Sequence, residues 1–431
     1  MRTRLEAVGC RLNIGEIQTI ARQLAASGHR VVGAGETANL CVVNTCTVTG
    51  IASKKSRQLI RQLKRANPQA AIVVTGCEAE LSPQQIRELG VDLVVGNRDK
   101  DRLVELAAEH GLLREPEPEV DRDALFADNP GGRTRAFLKV QDGCDNRCTF
   151  CVITIARGEG RSVPADRIVN DVRGLATEGF LEVVLSGVHL GSYGHDDGDQ
   201  RGLSNLVARV LSETEIPRLR LSSLEPWDLD PEFFELFDNP RLLPHLHLPL
   251  QSGCDDTLRR MARRTSQAEY SALIRAARAA VPGLAISTDV MVGFPGETDD
   301  EFEESFAFVE DMAFSRLHIF RYSVRSGTPA EKMPGQVSGP VSQARSARMH
   351  ELGSRQEELF NSKLVGSTQP ILWETAEEHG VFLRWCGLTP NYVRTTVDLP
   401  PDTDLLNRVT DTEIVEAVPG GVIGRIRNSE F

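Results

Sequence analysis

The 431 residues are 40% hydrophobic and 26% charged, with 49 basic against 61 acidic side chains and a net charge of -12. That balance excludes a disordered or fibrous chain, and the acidic surplus excludes indiscriminate nucleic-acid binding, so any RNA contact needs a local basic patch. Nine cysteines lack the dense spacing of a small secreted scaffold, no apolar run approaches ~18 residues, and the N-terminus (Arg2, Arg4, Glu6) has no apolar core. These features predict a cytoplasmic protein of two to four domains, without membrane association, whose thiols serve metals or catalysis.

In chain order, strand-like Leu5 to Val8 is followed by a helix around Glu16 to Ala26, a strand at Leu40 to Asn44 and a basic helix over 53–66. A strand at Ala71 to Thr75, a helix after Pro83 and a strand at Val91 to Val95 complete the first part. The alternation predicts a small doubly wound parallel sheet. Cys10, Cys46 and Cys77, in VGC, NTC and TGC, each fall just past a strand end. Open parallel sheets gather ligands there, so the three could form a site. The residues alone leave open that they are ordinary buried thiols. Cys41, within a strand, reads as core.

From Thr37 to Cys77 there is no acidic residue, while Lys54, Lys55, Arg57, Arg61, Lys64 and Arg65 crowd into one stretch. An isolated charge run is usually a solvated face; in an acidic protein this one suggests phosphate contact. Leu112 to Arg133, rich in prolines and acids and then glycine, reads as a linker.

Beyond it, VQDGCDNRCTFC places Cys144, Cys148 and Cys151 in a Cys-x3-Cys-x2-Cys run after a strand end. Closely spaced thiolates select zinc or iron–sulfur clusters. A structural zinc site needs four ligands, and the next histidine downstream in sequence is His189. Three cysteines leave one iron of a 4Fe-4S cube open to a further ligand.

Strands are expected at 136–141, 182–186, 218–222, 245–250, 284–290 and 316–322, with helices between them, including one from Pro164 and one after Glu297. Six such units fit a partial βα barrel, whose active site lies at the carboxyl ends of its strands. Gly187, Ser222, Gln251, Asp289 and Gly293 fall there. Each glycine reads either as a close approach to a ligand or as a tight turn. His245 and His247 alternate with leucine, as interior residues do. A polar helix over 341–363 precedes β-favouring segments at 370–374, 381–386, 392–397 and 413–418, which predict a small β-barrel. From Leu364 onward five arginines face ten acids, a net of -5.

These motifs together resemble the MiaB-like methylthiotransferases, which are radical S-adenosylmethionine enzymes, over nearly the whole chain. VGCRLN, VVNTCTVT, VVTGC and DGCDNRCTFC carry the likeness. LSGVHLGSYG, RLRLSSLEP, HLHLPLQSG and DVMVGFPGET are most similar to the group acting on N6-threonylcarbamoyladenosine at tRNA position 37. The resemblance implies a methylthiotransferase domain at 1–111, a linker at 112–134, a radical domain with trailing helix at 135–363 and a TRAM-like barrel at 364–431. It implies two 4Fe-4S clusters, one on Cys144, Cys148 and Cys151 that cleaves S-adenosylmethionine, the other an auxiliary cluster on Cys10, Cys46 and Cys77. Gly187, Ser222, Gln251, Asp289 and Gly293 are then expected at the cofactor, and Lys54, Lys55, Arg57 and Arg61 at tRNA. An electron donor such as flavodoxin or ferredoxin and a sulfur donor are implied as partners.

The chain departs from the family in three places. Thr154 and Ile155 replace the usual Pro-Tyr, Gly15 stands where an aromatic is commoner, and the C-terminal barrel is acidic. Isopentenyladenosine in tRNA or an aspartate of a ribosomal protein remain alternative substrates for the same chemistry, and a non-catalytic iron–sulfur RNA-binding protein is a further alternative.

Overall fold

The computed structural model describes residues 1–33, 35–113 and 134–426; all of the expected linker except its ends lies outside them. The chain divides into two compact units, residues 1–147, 151–163 and 186–188 in the first and 148–150, 164–185 and 189–431 in the second.

In the first unit the elements run β1 (Arg2–Ala7), α1 (Arg11–Ala26), β2 (Arg30–Val32), β3 (Leu40–Thr45), α2 (Gly50–Ala66), β4 (Ala71–Gly76), α3 (Cys77–Leu81), α4 (Pro83–Arg87), β5 (Leu93–Val94) and α5 (Leu103–Glu109). The sheet is parallel in the order β2-β1-β3-β4-β5. Successive side chains alternate between its two faces, and both faces are buried because helices cover each of them. Leu40, Val42 and Val73 face Ile17, Ile20 and Leu24 of α1, while Cys41, Val43 and Val74 face Ile60 and Leu63 of α2. Cys41 is thus core, as its place within a strand suggests. The two cores make the unit doubly wound. Sequence reading overlooked the short β2, and α4 spans only five residues.

The first unit continues with β6 (Arg135–Lys139), β7 (Gln141–Asp142), α6 (Ile153–Arg157) and β8 (Arg161–Ser162). Strand β6 crosses α1 so closely that a Cβ at Gly15 would come within 2.6 Å of the Phe137 carbonyl oxygen. An aromatic side chain has no room there, which accounts for one departure from the family pattern.

The second unit holds α7 (Ala165–Thr177), β9 (Glu182–Ser186), α8 (Gly202–Glu213), β10 (Arg218–Leu221), β11 (His245–His247), α9 (Asp255–Arg260), α10 (Gln267–Ala280), β12 (Ala285–Val292), α11 (Asp299–Met312), β13 (Arg316–Arg321) and α12 (Gly339–Ser362). Strand β10 pairs in parallel with β9, and β12 with both β11 and β13. Parallel bridges Leu219–Leu242 and Ser223–His247 link the two sets. Parallel strands alternating with helices are the architecture expected of a partial βα barrel. Capping boxes at Ser266 and Thr298 set the starts of α10 and α11.

The strands β14 (Thr368–His379), β15 (Phe382–Leu388), β16 (Arg394–Leu399), β17 (Val409–Val418) and β18 (Gly421–Ile426) close a barrel in the order β14-β15-β16-β18-β17. Its core is Ile371, Trp373, Trp385, Val397, Ile414 and Val422. Arg220, fully buried, bonds Glu182 at 2.7 Å and the Pro390 carbonyl at 3.0 Å and lies 4.6 Å from the Tyr392 ring centre, which ties β10 to this barrel.

Candidate metal centres

The strand order of the first unit reverses between β1 and β3, and a crevice forms outside their carboxyl ends at such a point. Cys10 follows β1, Cys46 follows β3 and Cys77 follows β4. Two glycines permit this. Gly9 has φ +106°, and a Cβ there would stand 2.5 Å from the Cys46 sulfur. Gly76 has φ +99°, and a Cβ there would run into Thr45. Neither backbone is open to another residue. Cys10 is exposed, whereas Cys46 and Cys77 are buried, so the crevice opens at Cys10. Burial pushes the Cys46 thiol up to about 11; metal binding there must displace its proton.

Helix α2 hangs from the second cysteine. The Ser56 hydroxyl accepts from the Cys46 backbone N–H and donates to its carbonyl, both at 3.1 Å, and the Thr49 hydroxyl caps the helix by accepting from the Ala52 N–H. Ser53, Ser56, Ile60 and Leu63 form its buried stripe, leaving Lys54, Lys55 and Arg61 exposed. Arg57 differs. It pairs with the buried Glu78 carboxylate, beside Cys77, an acid just past the acid-free stretch. Lys64 is also engaged, donating to the carbonyls of Leu89 and Gly90.

Behind the crevice lies a charged network that sequence reading missed. Arg157, at the end of α6, has a side chain 1% exposed. It donates from Nε to the Cys77 sulfur at 3.3 Å, from Nη1 to Glu16 and Asp142 at 2.9 Å each, and from Nη2 to the Asn13 side chain at 3.1 Å. Glu16 in turn accepts from Lys100 at 2.7 Å and from Asn44 at 2.8 Å, with Lys139 at 3.7 Å. Burial alone would raise the Glu16 carboxyl, but Lys100, Arg157 and Lys139 outweigh it and hold the group well below the usual carboxylate range. The only sequence signal was an arginine directly after the mostly apolar run VITIA.

On the same unit the Cys144 N–H bonds the Gly158 carbonyl at 3.0 Å; the Asn146 and Ile153 N–H groups approach the Cys144 and Cys151 sulfurs at 3.4 and 3.5 Å. Position 154 lies in the first turn of α6, where proline and threonine are both tolerated. Ile155 is half exposed where the family carries tyrosine.

Within the second unit, Thr149 is bound by Met261 and Ala330 through backbone bonds, and Phe150 packs edge-on against Phe294. The Arg263 Nη1 lies 3.8 Å from the Cys148 sulfur and 3.0 Å from Glu225, with Trp227 against its face. His189, considered above as a zinc ligand, has its Nε2 2.5 Å from Asp228. Ser222 follows β10 directly and is buried. Gln251 adopts φ +76°, rare for a side-chain-bearing residue, and its backbone bridges Asp289 and Met291. Asp289 faces His247 at 3.3 Å, and both His245 and His247 share the Ser287 hydroxyl, as interior residues. Gly293 is a turn residue: φ is +74°, its N–H bonds Glu297, and a Cβ would stand 2.6 Å from Ser342 of α12. Gly187 follows β9 in the first unit.

Among the described residues no three His, Cys, Asp or Glu side chains converge on a single metal ion. A cubane is ligated through different irons, so its cysteines stand a cluster apart rather than meeting at a point. The donor set, three cysteines against a buried cation, suits such a cluster.

Residues 138–309 match the model of the Radical SAM superfamily, and residues 2–96 that of Uncharacterized protein family UPF0004. The threonylcarbamoyladenosine tRNA methylthiotransferase MtaB of Bacillus subtilis is 36% identical over 428 residues, covering 95% of this chain and 93% of that one. The chain belongs to the radical S-adenosylmethionine tRNA methylthiotransferases. The MtaB of Thermotoga maritima is likewise 36% identical, covering 88% of each chain. The tRNA-2-methylthio-N(6)-dimethylallyladenosine synthase of Maricaulis maris is 34% identical over 99% of this methylthiotransferase and 97% of its own length. Among solved structures, the radical S-adenosylmethionine methyltransferase TsrM from Kitasatospora setae aligns with a TM-score of 0.56 at 15% identity, over 77% of each chain, a likeness of fold alone.

Proposed function

We propose that this protein adds a methylthio group to C2 of N6-threonylcarbamoyladenosine at position 37 of tRNA. The observation that carries this is the MtaB identity, sustained over nearly the full length of both chains. Relatives named for dimethylallyladenosine share less identity, 34% against 36%, and the same assay distinguishes the two substrates.

Cys144, Cys148 and Cys151 would hold the 4Fe-4S cluster that cleaves S-adenosylmethionine, and Cys10, Cys46 and Cys77 an auxiliary one. The first triad is supported by its spacing; the second by its convergence at the carboxyl edge of the sheet. When bound, these groups supply the radical, sulfur and methyl chemistry that no side chain provides at an unactivated aromatic C–H. The protein's own residues bind, orient and insulate. Arg157 and Arg263, each fixed by carboxylates, hold sulfurs of Cys77 and Cys148. Ser222 and Gln251 are assigned to S-adenosylmethionine, since they follow β10 and β11, and Asp289 with them, since its carbonyl accepts from the Gln251 N–H at 2.8 Å. Gly293 serves the turn instead.

Lys54, Lys55 and Arg61 are the phosphate-facing charges; Arg57 serves chiefly to neutralise Glu78. The three domains, 1–111, 135–363 and 364–431, with a linker at 112–134, are proposed to act in the cytoplasm, with a reductant such as flavodoxin or ferredoxin and a separate sulfur donor. Among the described residues no helix is long and apolar enough to cross a membrane.

The test is mass spectrometry of tRNA nucleosides from a strain lacking the gene, complemented with wild type or Cys77→Ala. The reading requires that 2-methylthio-N6-threonylcarbamoyladenosine return only with wild type. Recovery of methylthiolated isopentenyladenosine instead would reassign the substrate.

A further inference from the structure

We propose that Arg157 sets the reduction potential of the cluster held by Cys10, Cys46 and Cys77, acting as hydrogen-bond donor to a ligand sulfur and as buried counter-charge. The inference rests on the ligand assignment above and goes beyond it.

A guanidinium has a planar fork of five N–H donors, and orienting it fully takes partners on more than one edge. Arg157 has them. Two carboxylates and an amide engage Nη1 and Nη2, and with those ends fixed the Nε donor is directed at the Cys77 sulfur. A purely structural ion pair would be complete with the carboxylates. The support extends further back: Lys100 and Asn44 hold Glu16, and the Asn13 amide that accepts from Arg157 donates to the carbonyls of Val8 and Thr45, just before Cys10 and Cys46. Arg157 therefore cannot turn away from the sulfur without uncovering buried charge.

The charge count points the same way. Arg157, Lys100 and Lys139 carry three positive charges against two on Glu16 and Asp142, and the exposed Asp101 reaches only Lys139. Buried positive charge and N–H···S bonds both favour the more negative, reduced form of a cluster and raise its potential. Arg157 is also placed by the other triad's segment. Its helix begins two residues after Cys151, the Cys144 N–H bonds Gly158, and the Asn97 side chain bonds the Ala156 carbonyl at 2.7 Å. The position of one cysteine run thus fixes a donor on the other.

The second unit repeats the device independently: Arg263, backed by Glu225 and the Pro249 carbonyl, approaches the Cys148 sulfur. Arg157 is a positioning residue in this scheme, acting through Cys77.

The test is potentiometric titration followed by electron paramagnetic resonance. It uses anaerobically reconstituted full-length protein carrying Cys144→Ala, Cys148→Ala and Cys151→Ala, so that only the auxiliary cluster reports. Arg157→Lys keeps the charge but loses the directed Nε–H, and Arg157→Met loses both. The expected result is about four irons per chain in each, with the midpoint potential falling in Arg157→Lys and further in Arg157→Met. An unchanged potential in a variant retaining its iron overturns the inference. So does loss of the cluster from both variants, which would make Arg157 a structural residue. If the parent itself bound no iron, the ligand assignment, rather than the role of Arg157, would be at fault.

Discussion

Gly9 places Cys46 beside Cys10 by having no side chain. Any Cβ there meets the Cys46 sulfur, and the φ of +106° that glycine adopts freely would be strained for a residue bearing one. Gly9→Ala is therefore expected to lose the auxiliary cluster, about four irons per chain, while the other cluster remains; iron and sulfide analysis checks this. Deeper in the same crevice, Lys100 is 2% exposed against Glu16, itself 2% exposed. Lys100→Met removes one partner of a buried ion network and is expected to cost about 3 kcal/mol in urea unfolding. The network also predicts a pH dependence. The Glu16 carboxyl is held well below its ordinary 4.5 in the folded chain, so the unfolded chain takes up its proton first as the solution is acidified. The stability it contributes is present above that value and is lost as pH falls through the depressed folded pKa. Urea midpoints measured from pH 6 downward should fall more steeply for wild type than for Glu16→Gln; parallel curves would contradict the assignment.

At the scale of elements, α2 separates two kinds of positive charge. Replacing Lys54, Lys55 and Arg61 with glutamine should weaken tRNA binding and reduce the slope of log affinity against log salt by about two to three. Arg57→Gln should leave the slope nearly unchanged and destabilise the fold, because Glu78 is left buried without its partner. Fluorescence anisotropy across a salt series, with thermal melts, reads both. This distinction was not legible in the sequence: Lys54 to Arg65 is a uniform basic run, and only folding brings Glu78 under Arg57. The parallel sheet and the position of Cys10, Cys46 and Cys77 at strand ends were legible, since period-two burial and strand-terminal cysteines are local signals. Contacts across long separations were not, which is why Arg157, Glu16 and Lys100 went unnoticed; β2, three residues long, and β18, a six-residue strand led by Gly421, were overlooked as well. Gly293 reads two ways in the sequence, as a ligand approach or a tight turn, because the Ser342 side chain packed against it comes from α12, far along the chain.

Over the whole molecule, the acidic balance of -12 coexists with one exposed basic helix and an acidic C-terminal barrel anchored through Arg220 and Glu182. The central claim, two three-cysteine clusters in one chain, is tested most directly by iron and sulfide analysis of anaerobically reconstituted wild type beside Cys10→Ala/Cys46→Ala/Cys77→Ala, with electron paramagnetic resonance. The account predicts close to eight irons in wild type and about four in the triple variant. About four irons in both would leave the N-terminal cysteines structural and contradict it.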